Sequence, residues 1–244
     1  MRAPNARELL DVWEAGFAQA PTERALALLA VACPETSRDT LAALSIGQRD
    51  ARLLTLRVGL WGPQMEAVVV CPSCGERLEL NLDAREMLSS SPGSQPGELS
   101  LSIAEYHVTF RLPTSLDVLA EEVGQRPPES ALAILRRCLV SVQQGEGATS
   151  SDKLPEEVAA AVASRMAEAD PLADIQLGLA CPSCEHRWRA VFDIVSFIWT
   201  EIEVWAWRIL SDVHTLARAY GWSERDILTI SPTRRQFYLE MVGA

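Results

Sequence analysis

Two tetrapeptides, Cys71-Pro72-Ser73-Cys74 and Cys181-Pro182-Ser183-Cys184, decide how this chain reads. Each follows a short apolar run, Ala67-Val68-Val69-Val70 or Leu177-Gly178-Leu179-Ala180. Each precedes an alternating stretch, Arg77-Leu78-Glu79-Leu80-Asn81-Leu82 or His186-Arg187-Trp188-Arg189-Ala190-Val191-Phe192. Alternation with a period of two marks a half-buried strand, so the pattern predicts two copies of one unit: a strand, a tight CxxC turn and a returning strand. Each turn offers two thiolates, and two such turns supply the four ligands of a tetrahedral zinc site. We therefore expect one structural zinc per chain on Cys71, Cys74, Cys181 and Cys184, with the intervening chain an insertion into one zinc-bound module. Two unmetallated hairpins or a disulfide pair are alternatives, and thiol–disulfide chemistry is the sharper rival. A redox CxxC sits where a strand enters a helix whose N-terminus stabilises the first thiolate. Strand-like residues after both pairs favour the structural site.

The 244 residues are enough for one large or two modest domains with a core that needs no staples. A formal net charge of −11 argues against a sequence-independent grip on phosphate backbones, and so against the nucleic-acid adaptor role that zinc ribbons often serve. The charged start Met1-Arg2-Ala3-Pro4-Asn5-Ala6-Arg7-Glu8 has no signal-peptide h-region. The apolar stretch from Ile194 to Leu210 is interrupted by Glu201, Glu203 and Arg208, which predicts no membrane insertion. A cytoplasmic protein follows, and in a reducing compartment six cysteines suit metal binding better than disulfides. Cys33 and Cys138 lie in apolar helical patterns and read as buried small hydrophobes.

Helices dominate the rest. Leu9, Leu10, Trp13 and Phe17 mark one apolar face; Pro21 opens a second helix; Ser45-Ile46-Gly47-Gln48 has capping-box spacing before a helix carrying Leu53, Leu54, Leu56 and Leu60. The run from Ser89 to Gly97 reads as a loop. Tyr106, Val108, Phe110 and Leu112 alternate as a strand expected to extend the first hairpin's sheet, with His107 facing solvent. Helices are expected from Thr114 through Val123, from Pro128 through Leu139, and from Pro155 to Ala169, with a second flexible run at Gln143–Ser151. Ile198, Ile202, Trp205, Ile209, Val213, Leu216 and Tyr220 give one face of a helix from about Asp193 to Tyr220. Trp199 and Trp207 lie off that face. With Trp222 and Tyr238 from two short closing helices they are candidates for a partner contact, the alternative being that they fill a core. The expected architecture is α+β and mostly helical: an N-terminal helical region (1–63), a small zinc-ribbon-like β module of two CxxC hairpins (64–112 plus 172–192), a helical insert (113–171) and a C-terminal helical region (193–244). No phosphate-binding loop, dinucleotide turn, nucleophile elbow or HExxH is present, and no active site assembles from the residues.

Five blocks together carry a resemblance. They are Ile46-Gly47-Gln48-Arg49-Asp50, Cys71 to Glu79, Arg111-Leu112-Pro113-Thr114-Ser115, Glu168-Ala169-Asp170-Pro171-Leu172-Ala173-Asp174, and Tyr220-Gly221-Trp222-Ser223-Glu224. From about Leu9 to Glu240 the chain resembles the baseplate hub assembly chaperone family of T-even-type contractile phages and, in its zinc-knuckle form, of bacterial contractile injection systems. The resemblance implies a non-enzymatic role in assembling a phage-tail-like baseplate through protein–protein contacts with hub or spike proteins. Only the four cysteines carry over as functional positions. The second knuckle has Glu185 where the first has Gly75, at a turn position that favours glycine, and so is expected to be the more strained.

Overall fold

The computed structural model describes residues 1–89, 97–122, 130–145, 147–148 and 154–243. Most of the Ser/Pro/Gly run at 89–97, part of the run at 143–151, and Val123 and Pro128 lie outside the described residues. Helices α1 (Ala6–Gly16), α2 (Pro21–Ala32), the short α3 (Arg38–Ala42) and α4 (Ile46–Trp61) lead the chain. The first CxxC hairpin is β1 (Gln64–Val70) with β2 (Arg77–Asp83), running into α5 (Ala84–Ser89). Between the hairpins lie β3 (Leu99–Ile103), β4 (Tyr106–Phe110), α6 (Ser115–Glu122), α7 (Ser130–Cys138), β5 (Leu139–Gln144), β6 (Gly147–Ala148) and α8 (Glu156–Ala169). The second hairpin is β7 (Ile175–Ala180) with β8 (Arg187–Phe192), and α9 (Ile194–Tyr220), α10 (Glu224–Thr229) and α11 (Pro232–Gly243) follow. The described chain is thus mostly helical with small antiparallel sheets. No described helix is long and apolar enough to cross a membrane.

The chain forms two units, one of Met1–Glu35 with Val195–Ala244, the other of Thr36–Ile194. In the first, α1 opens on a capping box: Asn5 Oδ1 accepts from the Glu8 amide while the Glu8 carboxylate accepts from the Asn5 amide. This unit buries Leu9, Leu10 and Trp13 of α1, Leu26 and Leu29 of α2, and Ile198, Ile202 and Ile209 of α9. A separate cluster of Val213, Leu216 and Ile227, with Trp222 and Tyr238 packed against it, ties α10 and α11 to the end of α9.

In the second unit the strand at 106–110 does not extend the first hairpin. It is the second strand of a sheet ordered β3-β4-β5-β6, while each CxxC hairpin is a two-stranded sheet of its own. Both edges of β4 are taken, by β3 (Leu101↔Val108) and by β5 (Val108↔Val142). The apolar face of this sheet, Val108, Phe110 and Val142, closes on Leu135 and Cys138 of α7 and on Val158, Val162 and Met166 of α8. The stretch expected to be a helical insert therefore carries a strand. Leu139-Val140-Ser141-Val142 is rich in β-branched residues, and Gly145 at φ 57° turns the chain after it.

The start of α4 gathers distant segments. A helix leaves its first amides without intrahelical partners, and each of these finds one. Ile46 N–H donates to the Pro113 carbonyl at 3.0 Å, Gly47 N–H to Asp170 Oδ2 at 2.9 Å, and Gln48 N–H to Ser45 Oγ at 3.2 Å. The Ser45/Gln48 capping box forms as its spacing predicts, and a single bridge pairs Ser45 with Thr114. Asp170, only 3 % exposed, sits at the positive end of α4, where a carboxylate is favoured. It lies so close that a Cβ on Gly47 would collide with its carboxylate. Beside this junction Asp117 accepts both Arg111 guanidinium nitrogens at 2.7 Å and the Thr114 amide at 2.9 Å. Burial opposes its ionisation, but these donors hold it at about 2.

Two glycines of one helix should respond oppositely to alanine. Gly59→Ala, where nothing lies within 4 Å of the new Cβ, should stabilise by about 0.5–1 kcal/mol through helix propensity alone. Gly47→Ala should destabilise by about 1–3 kcal/mol, because the Asp170 carboxylate is pushed from the amide it serves. Denaturant midpoints of the two variants check the pair.

Candidate metal centre

Both CxxC turns close the same way. Cys71 N–H donates to the Glu76 carbonyl at 2.8 Å and Gly75 N–H to the Cys71 carbonyl at 3.0 Å; Cys181 and Glu185 repeat this with His186 and Cys181, each at 2.9 Å. The residue after the second cysteine is left-handed in both, Gly75 at φ 78° and Glu185 at φ 58°. The first knuckle therefore has glycine where the backbone requires it. The second holds a side chain in a conformation that costs about 1–2 kcal/mol.

The two turns meet. Cys71 Sγ lies 3.7 Å from Cys184 Sγ and Cys74 Sγ lies 3.6 Å from Cys181 Sγ. All four sulfurs fall within 4.8 Å of one another. A disulfide would need about 2 Å, and all four cysteines are free. A tetrahedron of thiolates around a metal at about 2.3 Å has edges of about 3.8 Å, and the observed pairs match that spacing. The first cysteine of each turn is buried and the second exposed.

The local electrostatics also suit a cation. Burial would raise the Cys71 thiol, but the Cys74 and Ser73 amides, aided by the Cys184 and Cys74 side chains, lower it to about 7. At Cys74 the Glu76 amide favours the thiolate, yet Cys184, burial, Cys181 and Cys71 together push it up to about 12. Four sulfurs this close cannot all ionise without a positive charge among them, which a soft tetrahedral metal ion supplies. The amide donors to sulfur escape a spacing argument, although the cysteines themselves do not. His186 stays out of the cluster and stacks on Trp188, and His107 faces solvent beside Ser102. Cys33 and Cys138 are buried elsewhere, with the Cys138 thiol pushed up to about 11 by burial and the Asp117 charge.

The aromatic residues proposed for a partner divide. Trp199 is 7 % exposed, its ring pressed on Gly16 and covered by the Arg24 guanidinium at 4.6 Å, so it belongs to the core. Trp222 and Tyr238 are half-buried: Trp222 stacks on Tyr220 and meets Tyr238 edge-on. Trp207 alone of the four is open, at 65 % exposure. It meets the buried Trp13 edge-on at 6.3 Å, and Trp13 also holds Phe17 at 4.7 Å. Phe17 reads as core from its helical spacing, but it follows the last residue of α1 and is exposed. It shares that character with Val204, one turn before Trp207.

Against known families, the model described as T4 bacteriophage base plate protein matches residues 18–199. The chain belongs to that family of phage baseplate proteins. No curated protein and no solved structure matches it.

The two knuckles predict a substitution that improves the protein. Glu185→Gly should relieve the left-handed strain and raise stability by about 1 kcal/mol, whereas Gly75→Glu should lower it by a similar amount. Melting curves measured at equal metal content check both.

Proposed function

We propose that this protein is a non-enzymatic assembly factor or minor structural component of the baseplate hub in a contractile, phage-tail-like particle. In this reading it works in the cytoplasm through protein–protein contacts. It carries one structural zinc on Cys71, Cys74, Cys181 and Cys184. The family match over residues 18–199 carries the reading, and the converged sulfurs support the zinc. When bound, zinc would cross-link two hairpins far apart in sequence, adding its binding free energy to folding. The geometry suits a closed structural site and not thiol exchange: both pairs sit on β-hairpin turns, and the leading cysteine of each, the one a redox motif exposes, is buried. Nor do the closing helices offer a DNA-reading pair, since Arg235 is buried against Asp212.

On this reading the partner is a hub or spike protein of the particle. Its contact centres on Trp207 with Val204 and Phe17, an exposed apolar group braced from beneath by Trp13. Aromatic anchors of this kind dominate many interfaces.

Metal analysis of protein purified reducing and without chelator should return one zinc per chain. Two zincs or none would overturn the shared site. If the site is shared, Cys74→Ser and Cys181→Ser should each destabilise the same unit, and the double variant should cost little more than either alone. Co-expression with hub and spike proteins of a contractile particle should yield a complex. Trp207→Ala should weaken it while changing stability by less than about 0.5 kcal/mol, whereas Trp199→Ala should cost about 3–5 kcal/mol. A complex that survives Trp207→Ala unchanged would place the contact elsewhere.

A further inference from the structure

The two hairpins are a natural internal control. They share a turn, a register and, on one face, a row of half-buried apolar residues. Counted from the cysteines, Arg77 corresponds to Arg187, Glu79 to Arg189, Val68 to Gly178 and Val70 to Ala180. On the exposed face of the first hairpin Val70 pairs with Arg77 and Val68 with Glu79, so bulky side chains cover the strand and the two charges cancel. On the second, Ala180 pairs with Arg187 and Gly178 with Arg189. The cover is stripped to Ala and Gly, both charges are positive, and neither β7 nor β8 contains an acidic residue.

Neither arginine side chain has an ion-pair or hydrogen-bond partner among the described residues, and both are exposed. Nothing lies within 4 Å of a Cβ built on Gly178. A shallow depression of about 600 Å³ is lined by Gly178, Ala180, Arg187 and Arg189 of this face together with Leu179 and Trp188 of the other. The shared fold does not require these differences, because the first hairpin forms the same turn without them. Arg187 has a counterpart in Arg77 and can answer charge on the nearby sulfurs. Arg189 has Glu79 at its counterpart, so its charge is peculiar to this copy.

We propose that this face of the second hairpin docks an extended acidic segment of a partner protein, separately from the Trp207 surface. Gly within a strand marks a place where another backbone can approach closely, and the guanidinium fork binds carboxylates in two-point fashion. Side chains on one side of an extended segment recur every second residue, the spacing of Arg187 and Arg189 themselves. Discrete carboxylates suit the site better than a continuous polyanion, because a chain of net charge −11 repels the latter.

The test uses the full chain purified without chelator and a short fluorescent peptide of alternating Glu and Thr, read by anisotropy at low salt. The Glu/Thr peptide should bind saturably and its Lys/Thr counterpart should not. Arg189→Glu should weaken binding at least about tenfold, and Gly178→Val should also weaken it, with metal content and melting unchanged in both. Trp207→Ala should leave peptide binding intact, which separates this surface from the proposed hub contact. The idea is overturned by no saturable binding up to about 1 mM, by undiminished binding to Arg189→Glu, by loss of binding in Trp207→Ala, or by tighter binding of single-stranded oligothymidylate.

Discussion

The second unit depends on where the first amides of α4 send their hydrogens. Three of them turn to groups outside the helix backbone: the Pro113 carbonyl, the Asp170 carboxylate and the Ser45 hydroxyl. Two of these partners come from segments far along the chain, one just after β4 and one at the end of α8, so a single helix terminus pins three pieces of polypeptide. Only a residue without a side chain fits at position 47, since the carboxylate occupies the space a Cβ would take. The contact is buried and charge-assisted, the setting in which an unmade hydrogen bond costs most.

This junction explains why the blocks around Ile46, Arg111 and Asp170 stand out together. They are remote in sequence but adjacent in space. The Arg111–Asp117 pair, with Thr114 also bonded to Asp117, stiffens the middle block. From this framework the chain extends two hairpins whose tips meet at four sulfurs. Isolated two-stranded hairpins are marginal in water, so the tip contact is a main candidate for what holds each against fraying.

Much of this was legible from residue pattern. Helix starts at Pro21 and Ser45 and the long helix to Tyr220 follow from caps and apolar spacing, and the paired CPSC motifs point to their own convergence. What escaped was set by tertiary pairing. The strand at Tyr106 announces itself by alternation, but alternation does not say which neighbour it chooses. It chose β3 and β5 because α7 and α8 supply a cover for that face. The strand at Leu139 hid behind the apolar periodicity of α7, which runs into it without a break. Trp199 and Trp207 look alike on a helical wheel. Gly16 makes room for one ring and not the other, and only the fold reveals that vacancy.

The division of the chain imposes an order on its biosynthesis. The first unit is built from segments on either side of the second, which lies between residues 35 and 195. While the ribosome makes that middle portion, on the order of ten seconds at ordinary elongation rates, α1 and α2 exist without α9. The two can pack on each other, but the surface that α9 later covers, at Gly16 under the Trp199 ring and at Trp13 beside Trp207, has nothing yet to bury against. The second unit can close once β8 has emerged, before α9 is available to complete the first. The nascent protein thus passes through an interval in which part of the surface of α1 and α2 is still open and the second unit is already complete, when a chaperone or an early-arriving partner would find that surface most receptive.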